Sequence, residues 1–276
     1  MSLSAHAFAR AAAAEVSHLR MIRLQRMNHY ELRMLLAGDP AEAVIWITSA
    51  AEHGLPAGQL RLGRMLLEGQ GLAKNPALAL RWFGRAAEQG DAEGMNMVGR
   101  CYENGWGVLP DARIAAHWYK MSANRGHDWG QYNFGNMLFD GRGVDVDLPY
   151  AHLWYRRAAR QGHARAMNLL GRCCEEGWGC PKDKPEAIEW YRQSAQAGYF
   201  RAQFNYATSL ADRGLAREAA VWFWTAASSG GEEIRPAIAR RLAGVLDPAL
   251  QSVRERVVKL LVASAACSAN ILPDPR

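Results

Sequence analysis

Eleven side chains stand out as able to do binding chemistry: Arg64, Asn96 and Arg100; Trp129, Tyr132, Asn136 and Phe139; Arg165, Asn168 and Arg172; and Phe204. Asn96 precedes Arg100, and Asn168 precedes Arg172, by four residues. On a helix that is about one turn, so an amide and a guanidinium project from one stripe. The pair suits a carboxylate, which accepts charge-assisted hydrogen bonds from the rigid arginine fork. Trp129, Tyr132 and Phe139 add aromatic area of the kind that dominates binding energy at protein interfaces. A competing use of the arginines is local pairing with Glu68, Glu103, Glu175 and Glu176 on the same helices, worth little at a solvated surface. It leaves the aromatics unexplained.

Motifs for covalent or cofactor chemistry do not occur in the sequence. The glycine-rich loops follow apolar helical patterns rather than preceding a helix with Lys-Ser/Thr, so they are not phosphate cradles. S-x-x-K, K-T-G and G-x-S-x-G are missing, as is H-E-x-x-H. Cys173, Cys174 and Cys180 lack a fourth ligand at zinc spacing. Cys101 and Cys173 stand where Met65 and Met137 stand in neighbouring repeats, which makes them small buried hydrophobes. His127 and His163 share a repeat position and are expected at the surface of repeat junctions. The chain is therefore expected to be non-catalytic, with no cofactor and no metal.

Composition narrows the setting. The 276 residues are 49% hydrophobic and carry a net charge of +6, half of it within residues 1–38. The remaining charge is too scattered for the basic stripe that phosphate neutralisation requires, so nucleic acid is not an expected partner. The uncharged stretch from Ala219 to Gly231 falls short of the ~18–20 residues of a membrane span. Arg10 and Glu15 close off the alanine run at 11–14 before it can form a signal-peptide core. Five cysteines, an odd number, do not suggest a disulfide framework. A cytoplasmic protein is expected. The basic N-terminus also fits a transit peptide, but Leu19, Ile22, Leu24 and Met27 are spaced for a first structural helix.

What must position the eleven side chains is a repeat. Similar segments begin at Leu55, Asp91, His127 and His163, a strict 36-residue period. Trp82-Phe83, Trp118-Tyr119, Trp154-Tyr155 and Trp190-Tyr191 fall in one column, and Gly63, Gly99, Gly135 and Gly171 in another. A helical glycine costs about 1 kcal/mol against alanine, so its recurrence predicts close approach of a second helix carrying the aromatic pair. Each copy holds two helical patterns separated by a G-x-G loop. Asn75, Asp111, Asp147 and Asp183 are placed as N-caps of the second helix, with Pro76 at its first position. Residues 23–54 and 199–230 are copies shortened by four residues. Residues 231–267 are expected to form a capping helix pair, since a solenoid must cover its last apolar face. Residues 1–22 form an N-terminal extension and 268–276 a disordered tail.

The shared pattern A-x-x-x-L-G-x-x-Y-x-x-G-x-G-V-x-x-D-x-x-x-A-x-x-W-Y-x-x-A-A-x-x-G resembles the Sel1-like repeat, a relative of the tetratricopeptide repeat. The resemblance covers about residues 23–230, in copies 23–54, 55–90, 91–126, 127–162, 163–198 and 199–230. It implies an all-α fold, a right-handed solenoid of antiparallel helix pairs with the first helices lining a concave side. The eleven side chains lie opposite the core face of those first helices, so the resemblance places them in the groove. It also implies an adaptor or scaffold that binds a protein or peptide, here one with an acidic segment or a free C-terminus. The alternative within the same resemblance is a hydrolase or ligand-binding protein of the cysteine-rich Sel1 type, which covalent labelling by a fluorescent penicillin would reveal. Residues 1–36 and 249–267 offer a further use, association of two copies through the helical ends.

Overall fold

A computed structural model describes residues 40–269, together with 16, 19, 20, 22 and 23. Most of the N-terminal extension, residues 24–39 of the first shortened copy and most of the tail lie outside the described residues. Among those described, thirteen helices and no strand occur: α1 Pro40–Glu52, α2 Pro56–Glu68, α3 Pro76–Glu88, α4 Ala92–Asn104, α5 Ala112–Asn124, α6 Asp128–Asp140, α7 Leu148–Arg160, α8 Ala164–Glu176, α9 Lys184–Gln196, α10 Phe200–Asp212, α11 Ala216–Ser229, α12 Gly231–Arg241 and α13 Pro248–Ala269. They fall into two compact units, Met1–Val146 and Asp147–Arg276. In each unit consecutive helices pack on one another as solenoid-type helix pairs.

Helix boundaries follow the residues that satisfy orphan backbone groups. Asn75 Oδ1 accepts from the Leu78 amide at 3.0 Å, Asp111 Oδ1 from Arg113 and Ile114 at 2.8 and 3.0 Å, and Asp183 Oδ1 from Glu186 at 2.9 Å. At the other end, Gly69, Gly105, Gly141 and Gly177 close α2, α4, α6 and α8 in left-handed conformation. A residue with a Cβ is strained there.

The first helices are capped in a way the sequence reading missed. Asp91 caps α4, accepting from the Gly94 amide at 2.7 Å. His127 and His163 occupy the same repeat position, and Nδ1 of each accepts from a backbone amide, Gly130 and Ala166, at 3.1 Å. They are caps, and His163, only 5% exposed, is no surface residue. To accept, the ring must be neutral. Burial pushes the His127 pKa below its ordinary 6.5, against the raising influence of Asp128 and Asp91. A depressed folded-state pKa means its stabilisation is present above about pH 6.5 and lost as pH falls through the folded value. His127→Asp should keep the cap and remove that dependence, sparing about 1 kcal/mol of acid-induced loss between pH 7.5 and 5. Thermal melts of both proteins at the two pH values measure it, and parallel acid losses would contradict the cap.

The core forms where the glycine column meets the aromatic column. A methyl group on Gly99 would lie 2.7 Å from the Tyr119 ring, and one on Gly171 at the same distance from Tyr191. Both rings are almost wholly buried. Their hydroxyls donate to carboxylates on the preceding helix, Tyr119 to Glu103 at 2.5 Å and Tyr191 to Glu175 at 2.7 Å. Burial and the adjacent carboxylate both push these phenols above their ordinary pKa of 10. In the first full copy the equivalent residues are Leu67 and Phe83, an apolar pair in place of a polar one. Tyr119→Phe should cost about 1.5–2 kcal/mol by removing a hydrogen bond to a charged acceptor. Adding Glu103→Leu should recover most of it, because replacing both partners by apolar groups is nearly neutral and the exposed Arg142, which also pairs with Glu103, keeps its contact with Asp140. Urea unfolding of the single and double variants checks this; additive losses would contradict it.

Candidate partner-binding site

The eleven expected residues separate into three groups. Asn96 and Asn168 are buried, and each accepts from an asparagine of the next repeat pair, Asn133 and Asn205, at 2.9 Å. They tie repeats together and present no amide to a partner, which corrects the expectation of Asn-Arg clamps. A buried amide must be paired, and a partner 37 residues on supplies the bond. Phe204 packs edge-to-face on Phe223 with centroids 5.8 Å apart, against the core of the second unit. Arg64 is engaged in an ion pair with Glu93.

Arg100 and Arg172 behave differently. Neither pairs with a glutamate of its own helix in the way the competing reading supposed, since Glu103 accepts from Tyr119 and Arg142 and Glu175 from Tyr191. Instead each guanidinium lies over an indole from the following G-x-G loop. Arg100 is 5.0 Å from the Trp106 ring centre and Arg172 is 4.9 Å from that of Trp178. Both arginines are exposed and both tryptophans half-buried. The indole holds the planar cation by its face, by cation–π attraction and stacking. The guanidinium N–H donors point outward in its plane, where an oxygen anion can accept them edge-on; Arg100 Nη1 also donates to the Met97 sulfur at 3.7 Å. The loop glycines place the indoles. Gly107 and Gly179 sit so close to backbone of the preceding repeat that a methyl group would fall 2.4 Å from Ala77 N and 2.2 Å from Leu148 O.

In the first unit, α6 carries the expected aromatics. Trp129 is 41% exposed and meets Tyr132 edge-to-face at 6.0 Å, with Asn136 and Phe139 further along the helix, both half-buried. In the second unit, exposed Arg165 lies over Tyr199 at 5.8 Å.

A further regularity was available in the sequence and overlooked. Asn96, Arg100, Cys101, Glu103, Trp106, Tyr119 and Ser122 recur unchanged 72 residues later as Asn168, Arg172, Cys173, Glu175, Trp178, Tyr191 and Ser194. Gln59, Gln131 and Gln203 occupy the intervening copies, each donating to a backbone carbonyl of the preceding pair. The building block is a double repeat. Arginines also lie over helix tryptophans, as Arg85 over Trp82 and Arg157 over Trp154, but Trp106 and Trp178 are the loop indoles so covered, one such platform in each unit.

The family model of the Sel1 repeat matches residues 27–55, 56–91, 92–127, 130–163 and 164–199. No curated protein sequence matches the chain. Among solved structures, a protective antigen present in uropathogenic Escherichia coli strains, displaying an SLR fold, is similar at TM-score 0.69 and 30% identity. The match covers 85% of this chain and 52% of that one, so this chain spans about half the length of that relative. A Sel1 repeat protein from Oxalobacter formigenes is similar at TM-score 0.67 and 24% identity, covering 80% and 95% of the two chains. An immunity protein from Pseudomonas aeruginosa shares the fold at TM-score 0.51 and 16% identity, covering 76% and 82%. With five matched repeats spanning more than half of the sequence, built from helix pairs of the same construction, the chain belongs to the Sel1 repeat family.

Proposed function

We propose that this chain is a non-catalytic interaction scaffold that captures a partner protein through an acidic segment or a C-terminal carboxylate, at Arg100 on Trp106 and at Arg172 on Trp178. Sel1 repeat proteins are commonly protein-interaction scaffolds. The observation that carries the finer reading is an exposed guanidinium held over a half-buried indole of the G-x-G loop, Arg100 on Trp106 and Arg172 on Trp178, at the same position of the double repeat. A solvated arginine loses side-chain entropy on binding an anion; one already stacked has lost much of it beforehand. In the first unit Trp129, Tyr132, Asn136 and Phe139 on α6 would supply the apolar contact that the carboxylate bond alone does not. In the second, Arg165 adds a charge. No helix among the described residues is long and apolar enough to cross a membrane. Free thiols at Cys101, Cys173, Cys174 and Cys180 support a reducing, cytoplasmic setting.

The test is a binding panel of synthetic peptides against the purified chain: acidic sequences with free C-termini, the same sequences amidated, and charge-neutral isosteres. Preference for the acidic free-carboxylate peptides is expected. Equal binding of neutral isosteres would overturn carboxylate recognition, and covalent labelling by a fluorescent penicillin would overturn the non-catalytic reading.

A further inference from the structure

One repeat junction of the second unit is built differently from the others. His152 on α7, Cys174 on α8 and Cys180 in the loop after α8 bring their donor atoms within 4.8 Å of one another. The equivalent positions in the other full copies are apolar. Cys174 replaces Leu66, Tyr102 and Leu138; Cys180 replaces Leu72, Val108 and Val144; His152 replaces Leu80, Ala116 and Ile188. At this single junction, three positions that pack hydrocarbon elsewhere carry an imidazole and two thiols.

Polar groups put into a core need partners. His152 is only 9% exposed and its Nε2 is buried without a hydrogen-bond partner. Cys174 is 1% exposed, while Cys180 sits at the half-buried rim, its thiol donating to the Cys173 carbonyl at 3.4 Å. An imidazole nitrogen with a free lone pair beside two thiol sulfurs is a soft donor set.

We propose that His152, Cys174 and Cys180 bind a divalent transition-metal ion of the zinc type, with the half-buried side of Cys180 leaving a fourth position to solvent. Charge selects the ion. Loading releases the two thiol protons to water, so two thiolates and a divalent cation leave the buried site neutral. Of the charged groups around it, Arg156 is paired with Glu186 at 3.2 Å, and Asp183 acts on Cys180 as a further negative charge. Glu186 accepts in addition from the Trp190 indole at 3.1 Å, which fixes it beside the cluster. The sequence reading dismissed zinc because the cysteines lacked a further ligand at regular spacing. The histidine comes from the previous repeat, 22 residues before Cys174.

The test uses the untagged, fully reduced chain titrated with Co²⁺, whose thiolate charge-transfer and tetrahedral visible bands report the ligand set. One ion per chain is expected, displaced by an equimolar amount of Zn²⁺. Cys180→Val and His152→Leu restore the apolar residues of other repeats, so both should fold, and each should weaken binding at least about 100-fold. Cys101→Ser, in the first unit and not among the three donors, should leave binding unchanged. Absence of cobalt bands in the reduced wild type, or bands that persist in both variants, would overturn the site. Either result would leave the scaffold reading untouched, because that reading is tested by peptides at Arg100 and Arg172.

Discussion

Alanine at Gly143 is expected to destabilise the first unit by about 2–5 kcal/mol, a change visible as a large drop in thermal midpoint. Two costs add. Gly143 has a φ of 71°, where an L-residue pays about 1–2 kcal/mol. A methyl group there would lie 2.1 Å from the Ala112 carbonyl oxygen and 2.6 Å from the Arg113 amide nitrogen. Neither is the flexible end of a side chain, so the loop must leave the N-terminus of α5, adding about 1–3 kcal/mol. Gly126→Ala is the control. Its φ is 85° but nothing lies within 4 Å of the added carbon, so only the conformational cost of about 1–2 kcal/mol is expected. Equal losses in the two variants would show that loop-to-helix contact does not set the geometry of this G-x-G loop.

Reversing charge at the platforms should separate binding from folding. Arg100→Glu is expected to weaken capture of an acidic peptide by the first unit roughly 100-fold, through a lost charge-assisted fork and a new repulsion. Arg172→Glu should do the same in the second unit. The stability cost should stay near 0.5–1 kcal/mol, the worth of a cation–π contact at an exposed site. Arg100→Lys keeps the charge and loses the planar, two-pronged geometry, so an intermediate loss of about tenfold is expected. Calorimetric titrations with one acidic peptide measure all three. A lysine variant indistinguishable from wild type would reduce the site to a diffuse positive charge, and a glutamate variant that binds normally would remove Arg100 from it.

The sequence displayed the fold in its periodic columns because those columns are governed by short-range rules. Gly99 against Tyr119 could be inferred, since a repeated helical glycine has few physical justifications. The caps Asn75 and Asp111 were legible because short acceptor side chains at a helix start have one dominant use. His127 was not, because imidazole serves as an acceptor there only in its neutral form, and that depends on burial no single sequence displays. Asn96 and Asn168 were misplaced by a rotation argument that counts faces on one helix. Their fate is decided by Asn133 and Asn205 on another pair, contacts that arise only when repeats stack. Arg100 and Arg172 were identified as binding residues, but not their indole supports. The tryptophans lie beyond the helix end, where helical periodicity no longer applies, although recurrence at 72 residues would have linked them.

The two platforms have a spectroscopic signature of their own. The indole N–H resonances of Trp106 and Trp178 can be assigned by single Trp→Phe substitutions in a nitrogen-labelled chain, then followed as an acidic peptide with a free C-terminus is added. If the platforms receive the carboxylate, these two resonances move with increasing peptide and saturate together with the calorimetric signal. Movement confined to other indoles, such as Trp46 or Trp224, with Trp106 and Trp178 unchanged at saturation, would contradict carboxylate capture at the platforms.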